Sequence, residues 1–378
     1  MMKLILKIFK LLLKIIYAPM KLFPVDRNKF LFLSRQSNET TLDFSMLQQE
    51  LAKREPDLRF VTICKRSSDS KADYLSFGIC MLRSMYHLAT SNVCIIDSYW
   101  PAVCILNHKK SLTVIQIWHA LGKIKQSGYQ TVGRAGGRGR LIADELCMHR
   151  NYDYIIAGGK AWNPYYCASF GTTEDRLVNI GLPRIDYLIN QEAANREKIY
   201  ESYPQFRDKT VLLYAPTFRK GIEVNWLPLA ENIDFDKYIL VVKGHPNQPL
   251  TCDIPQVYTC DEFKSVELLS VCDYLITDYS AIAIEGAILN RKTYYFVYDY
   301  EEYTAKNGTN IDLFKEMPGC VFKSAKELCR AIDGEYPEIP FAERDKIGCA
   351  TDYSAGRNRY IGYLISLAVY SLKGKRIG

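Results

Sequence analysis

DYLITDYSAIAIEGAILNRKTYYFVYDY, residues 273–300, carries the sharpest structural signal in the chain. Tyr274-Leu275-Ile276-Thr277 reads as a short buried strand that runs straight into Asp278 and Ser280. A helix then begins, with Ile282, Ala283, Gly286 and Ala287 small or apolar, and Thr293-Tyr294-Tyr295-Phe296-Val297 is the next strand. Continuous apolar strands separated by a helix belong to a parallel sheet covered on both faces. Ser280 is placed to cap the helix, leaving the backbone N–H groups of Ala281 and Ile282 turned outward. That is a ready phosphate site. Glu285, one turn inside, is within reach of a ribose hydroxyl. The structural alternative is a plain helix cap with a buried carboxylate partner.

The same alternation extends on both sides. Upstream lie the strands Thr210–Ala215 and Tyr238–Val242. Further upstream are Phe30–Leu33, Arg59–Ile63, Val93–Ile96, Thr113–Trp118 and Tyr154–Ala157, with helices over Met46–Arg54 and Tyr74–Thr90. Asn190 to Asp208 is polar and helix-forming, so the boundary between two α/β halves falls near Asp186. With 378 residues, two domains are expected. In doubly wound sheets, ligands bind outside the carboxyl ends of the strands.

Composition narrows the function. The chain is 48% hydrophobic and 24% charged, which excludes a disordered chain, a collagen-like repeat and a coiled coil. Its 27 tyrosines are spread along the chain and mark no single patch. The net charge of +7 is concentrated at Lys3, Lys7, Lys10, Lys14 and Lys21, ahead of the first acidic residue, Asp26. The remainder is nearly balanced and offers no basic field for nucleic acid. The 12 cysteines form no C-x-x-C pair and read as buried hydrophobes in a reducing cytoplasm, not as a disulfide framework or zinc site.

MMKLILKIFKLLLKIIYA, residues 1–18, places Lys3, Lys7, Lys10 and Lys14 on one helical stripe. Leu4, Ile5, Ile8, Leu11, Leu12, Ile15 and Ile16 fill the other faces, and Pro19 ends the pattern. The lysines interrupt any span or signal peptide. A basic amphipathic helix lying in the plane of an anionic membrane surface is expected. The alternative is a helix packed on the protein's own body.

The candidate site residues stand at strand ends. His119 follows Trp118 in IQIWHALGKIK, residues 115–125, where it can accept a proton from an alcohol or simply cap a strand. Lys123 and Lys125 follow it as phosphate candidates. Lys243 and His245 end a strand in VVKGHPN, where Gly244 allows close backbone approach and Pro246 stops the strand. This combination suits a diphosphate. Arg219 ends YAPTFR. Residues 133–140, GRAGGRGR, form either a mobile anion-binding loop or a flexible connection. No P-loop, G-x-S-x-G elbow or H-E-x-x-H motif is present.

The ordered set IQIWHALGKIK, NIGLPRIDYL (179–188), VLLYAPTFRK (211–220), VVKGHPN, the 268–303 segment and NGTNIDLFKEMPG (307–319) resembles the CDP-glycerol glycerophosphotransferases of teichoic acid synthesis. The resemblance covers the chain from about residue 110 to 330. It implies a GT-B fold: an N-terminal Rossmann-like acceptor domain (28–186) and a C-terminal CDP-donor domain (187–350) facing a cleft. An amphipathic helix (1–21) precedes them, and a C-terminal helix (351–378) is expected to cross back to the first domain. By the same resemblance His119 matches the family's base and His245 the histidine that contacts the donor diphosphate. Arg219, Ser280 and Glu285 match donor-binding positions, and Lys243, Asp278 and Ala281 flank them. The chain departs from the family in reading W-H-A-L-G for the commoner W-H-G-T, Ser280-Ala281 for two serines, and Glu285 for aspartate.

The implied reaction moves glycerol phosphate, or alternatively ribitol phosphate, from CDP-glycerol or CDP-ribitol to a hydroxyl of a polyprenyl-diphosphate-linked acceptor, releasing CMP. It would take place at the cytoplasmic face of a bacterial membrane. No cofactor is expected, although Asp278 and Asp299 are conceivable Mg²⁺ ligands. A GT-B glycosyltransferase using a nucleotide sugar and a non-enzymatic membrane scaffold are the rival readings.

Overall fold

A computed structural model of the chain describes residues 1–66, 71–219, 224–245, 248, 250 and 252–337. The expected C-terminal helix over 351–378 lies outside the described residues, as do Lys220 and Pro246. Two compact units are formed. The first comprises Met1–Ala120 and Ser127–Arg184; the second comprises Leu121–Gln126 and the described residues from Ile185 onward.

In the first unit the strands are β1 (Asp26–Ser34), β2 (Arg59–Cys64), β3 (Ser91–Ile96), β4 (Thr113–Gln116), β5 (Tyr154–Ala157) and β6 (Leu177–Asn179). They form one sheet in the order β2-β1-β3-β4-β5-β6, and every pair is parallel. Phe30 to Leu33 are fully buried on both faces, which is why their sequence shows no polar alternation. From β1 the chain goes outward to β2, then returns to place β3 on the other side of β1. The connections leaving β1 and β3 therefore diverge, and the crevice at their carboxyl ends is the topological switch point.

The second unit repeats the architecture with β7 (Thr210–Tyr214), β8 (Tyr238–Val242), β9 (Val257–Tyr258), β10 (Tyr274–Thr277), β11 (Lys292–Phe296) and β12 (Val321–Phe322). The sheet order is β12-β11-β10-β7-β8-β9, again all parallel, so its switch point lies between β7 and β10. Val211 and Leu213 of β7, Ile239 and Val241 of β8, and Leu275 of β10 share a core with Leu188, Ile199 and Phe206. The helix Ile282–Ile288 approaches β10 closely at Gly286, where an added Cβ would meet Leu275 Cδ2 at 2.8 Å.

The strands β6, β9 and β12, two or three residues long, have no apolar run and were not expected. The strand expected over Thr113–Trp118 ends at Gln116, because Trp118 turns into the left-handed region at φ 56°.

The N-terminal helix spans Met2–Met20 and holds Pro19 inside its last turn, so that proline does not terminate it. It packs against the helices Lys71–Thr90 and Arg140–Glu145 of the first unit. Leu13 and Tyr17 are buried, and the Tyr17 hydroxyl lies 2.9 Å from His108 Nδ1. Lys10 Nζ donates to Glu145 at 3.1 Å, so it faces the protein body and leaves the expected row of outward lysines. Leu4, Ile5, Ile8, Leu11, Leu12, Ile15 and Ile16 remain exposed. No helix among the described residues is long and apolar enough to cross a membrane.

Candidate active site

Both switch points carry residues that the sequence singled out.

In the first unit, Gln116 is fully buried at the end of β4. Its side-chain oxygen accepts from Trp118 N at 2.8 Å, and its Nε2 donates to Ser98 O at 3.3 Å. This tether holds the left-handed turn at Trp118, which a tryptophan rarely adopts unaided. The turn directs His119 towards β3, where Nδ1 lies 3.0 Å from Asp97 O. A carbonyl oxygen only accepts, so Nδ1 carries a proton, and in the neutral form of the ring the lone pair is on Nε2. The Trp118 and His119 rings lie 4.2 Å apart, and Trp118 also packs edgewise on His149 and Phe170. A main-chain bond and the Trp118 face thus help to hold His119. Asp97 is a buried carboxyl absent from the sequence-level candidates. Burial raises its pKa to about 7 against hydrogen bonds from Ser34 and Ser98, and its Oδ1 has no partner among the described residues.

In the second unit, Arg219 is the centre of a buried network. Nε and Nη2 donate to Asp299 at 2.6 and 3.0 Å, and Nη1 donates to Asp278 at 2.7 Å and to Thr217 O at 3.0 Å. Asp278 is fully buried and also accepts the Thr217 N–H at 2.9 Å. Burial alone would lower the guanidinium pKa, but Asp278 and then Asp299 outweigh it and hold the charge in place. Tyr298, Tyr303 and Tyr279 surround the guanidinium at 5.1, 5.7 and 6.0 Å, with Tyr279 and Tyr303 stacked at 3.9 Å. The tyrosines therefore do mark a patch.

This arrangement fixes where several of the expected residues stand. Arg219 and Asp278 tie the loop after β7 to the end of β10, and both are buried. Asp278 and Asp299, considered as Mg²⁺ ligands, are partners of Arg219. Lys243 Nζ donates to Thr259 O at 3.3 Å and Cys260 O at 2.9 Å, so it pins the chain after β9. Ala281, not Ser280, is the N-cap of the helix Ile282–Ile288, and the Ser280 hydroxyl lies a long 3.5 Å from Ile282 N.

Among the described residues near this switch point, Ser280, His245 and Lys125 keep exposed surface. Ser280 and His245 are both half-buried, and the His245 ring lies 5.5 Å from that of Phe218. Gly244 is required, because an added Cβ would strike Gln248 O at 2.4 Å. Glu285 is buried in the first turn of the helix.

Lys123 and Lys125 were expected in the N-terminal domain, but Leu121–Gln126 belongs to the second unit. There Asn310 N donates to Ile124 O at 2.8 Å, Asn310 Nδ2 to Lys123 O at 2.7 Å, and Gln126 N to Gly308 O at 3.0 Å. Lys123 is buried, and burial followed by the Lys125 charge pulls its pKa well down. Lys125 is exposed although protein crowds it. That crowding lowers its pKa first, Asp278 opposes and Arg219 reinforces, and the open surface limits the loss of solvation.

Known proteins share both the sequence and the architecture. The profile of the CDP-Glycerol:Poly(glycerophosphate) glycerophosphotransferase family matches residues 15–347. The chain is 32% identical over 337 residues to a teichoic acid poly(ribitol-phosphate) polymerase of Bacillus spizizenii, covering 84% of this chain and 53% of that protein, about half its length. A teichoic acid ribitol-phosphate primase of the same organism is 28% identical, with 83% of this chain and 84% of that protein covered. The wall teichoic acid polymerase TagF superposes with a TM-score of 0.70 at 18% identity over 98% of each chain, which shows the shared fold. The GT-B type of architecture expected from the motifs is thereby borne out. With its family profile matched from residue 15 to 347, the chain belongs to the CDP-glycerol:poly(glycerophosphate) glycerophosphotransferase family.

Proposed function

We propose that the chain transfers a polyol phosphate from a CDP-linked polyol to a hydroxyl of a lipid-linked acceptor, in the synthesis of a teichoic-acid-like polymer. His119 Nε2 takes the acceptor's hydroxyl proton. The oxygen attacks the phosphorus that bears the polyol, the bond from that phosphorus to the bridging oxygen breaks, and CMP leaves with the electron pair. His245, Lys125 and the Ser280 hydroxyl neutralise the diphosphate charge, and Glu285 is the candidate for the ribose. No step is assigned to a cofactor. Arg219, Asp278 and Asp299 fasten the loop after β7 to the end of β10, two residues before Ser280.

The observation that carries this reading is the fixed tautomer of His119, with Nδ1 donating to Asp97 O at 3.0 Å. A positioned base contributes about 10²–10⁴-fold in rate. His119→Ala should lose that much in CMP release while keeping its affinity for the CDP-polyol. A variant with a lowered melting temperature but near-normal turnover in the folded fraction would make His119 a strand cap and end the assignment.

Glycerol phosphate was the first expectation. Ribitol phosphate is kept as a second reading, because relatives named for it cover 84% and 83% of the chain, against 67% for a glycerol-phosphate primase of Bacillus subtilis. The N-terminal helix supports peripheral attachment to an anionic membrane surface. It docks through Leu13 and Tyr17 and leaves a row of leucines and isoleucines beside Lys3, Lys7 and Lys14 uncovered.

A further inference from the structure

The arginine–glycine run at 133–140 has no role in the mechanism above, yet it is an ordered turn. Gly133 N donates to Arg138 O at 2.9 Å, and Gly137 N to Arg134 O at 3.0 Å. Gly133 has φ 85°, and a Cβ on Gly137 would strike Thr131 O at 1.8 Å, so both glycines are needed to close the turn. The turn lays the Arg138 guanidinium over the Tyr99 ring at 4.4 Å.

A second arginine reaches the same tyrosine. Arg35 directly follows β1; its N–H donates to Ser98 Oγ at 3.0 Å and its Nη1 to Tyr99 O at 3.4 Å. Its guanidinium also lies over the Phe77 ring at 5.0 Å. Burial lowers the Arg35 pKa, and the Arg138 charge adds to that lowering, so each guanidinium feels the other. Holding two like charges together on aromatic faces costs free energy that a bound anion relieves, and guanidinium groups match phosphate oxygens in geometry.

The location is also informative. Arg35 directly follows β1 and Tyr99 lies three residues past β3, so the pair stands at the switch point of the first unit. Asp97 O, which accepts from His119, is two residues before Tyr99. The Tyr99, His149, Trp118 and His119 rings form one continuous run of edge and tilted contacts. Burial keeps the Asp97 carboxyl towards its neutral form, so it subtracts less than a full charge from the site at neutral pH.

We propose that Arg35 and Arg138, gathered on Tyr99, bind a phosphate group of the acceptor and so hold its terminal hydroxyl at His119. This rests on the reading of the first unit as the acceptor side. The anion is either a phosphodiester of the growing polyol-phosphate chain or the diphosphate of its lipid anchor.

The test is calorimetric titration of the full chain with two soluble probes, a short glycerol-phosphate oligomer and farnesyl diphosphate. Arg138→Gln on the exposed turn is expected to weaken one of them by about 10- to 100-fold, the loss of a charge-assisted contact. CDP-polyol affinity and melting temperature should stay at wild-type values. The probe that loses affinity identifies the source of the phosphate. Arg35→Gln should show the same selectivity; should it fail to fold, Arg138→Gln decides alone. Wild-type affinity for both probes in Arg138→Gln, or no binding of either probe to the wild type, overturns the proposal. The readout is binding, so it stands even if neither CDP-polyol yields CMP, an outcome that would reject the proposed reaction separately.

Discussion

Asp278→Ala should be the most damaging single substitution at the second unit's switch point. The Asp278 carboxylate has no exposed surface, accepts a hydrogen bond from Arg219 Nη1 at 2.7 Å and another from the Thr217 N–H at 2.9 Å. Removing one partner of a buried ion pair costs about 3–5 kcal/mol, because the other charge stays buried without its counter-charge. The orphaned Thr217 N–H adds roughly 1 kcal/mol or more. Asp299 remains bonded to Arg219 through two oxygens, which offsets part of the loss. The net expectation is about 4 kcal/mol, or roughly 8–16 °C in the melting temperature of a unit this size. Asp299→Ala should cost about half as much, because that carboxylate is 14% exposed and water can replace it. Asp278→Asn, which keeps the shape and one acceptor, should fall between the two. Circular-dichroism melts of the three variants measure this order. An Asp278→Ala melt within about 2 °C of wild type, or a larger loss in Asp299→Ala, would refute the view that Asp278 anchors Arg219.

Other outcomes follow from the same geometry. His245→Ala and Ser280→Ala should each weaken CDP-polyol binding about 10-fold or more without unfolding the protein, and wild-type affinity in both would misplace the donor site. Asp97 has its pKa raised to about 7 by burial, so between about pH 4 and pH 7 the unfolded chain releases a proton that the folded chain keeps. Stability should therefore fall as pH rises through that window, by an amount on the order of a few kcal/mol, and level off above it. Asp97→Asn should flatten the profile in urea titrations, and an unchanged slope counts against the assignment. Replacing Leu4, Ile8, Leu11 and Ile15 by serine leaves Leu13 and Tyr17 docked but should cut sedimentation with anionic liposomes at least about 100-fold. Unaltered sedimentation would show that the helix serves the protein body alone.

The long central strands were legible because burial on both faces leaves continuous apolar runs, as at Phe30–Leu33 and Tyr238–Val242. The strands β6, β9 and β12 were not, since pairing by neighbours, and not their own composition, makes them strands. At the site, strand ends pointed to His119, Arg219, Asp278 and Ser280, but local pattern could not say which charges face a ligand and which face each other. Arg219 is 59 residues from Asp278 and 80 from Asp299, a separation that no motif window spans. The transfer of Lys123 and Lys125 to the second unit was invisible for the same reason. Their segment is claimed by main-chain bonds to Gly308 and Asn310, far along the chain.

The reaction proposed for the chain is the transfer of a polyol phosphate with His119 as base. The direct measurement is CMP release together with the mass of the acceptor product, for wild type and His119→Ala, with CDP-glycerol and CDP-ribitol in parallel. The wild type should yield CMP and an acceptor heavier by one or more polyol-phosphate units with at least one donor, and His119→Ala should lose about 10²–10⁴-fold in rate. CMP release without a heavier acceptor, no release from either donor, or a His119→Ala enzyme at wild-type rate would contradict the account.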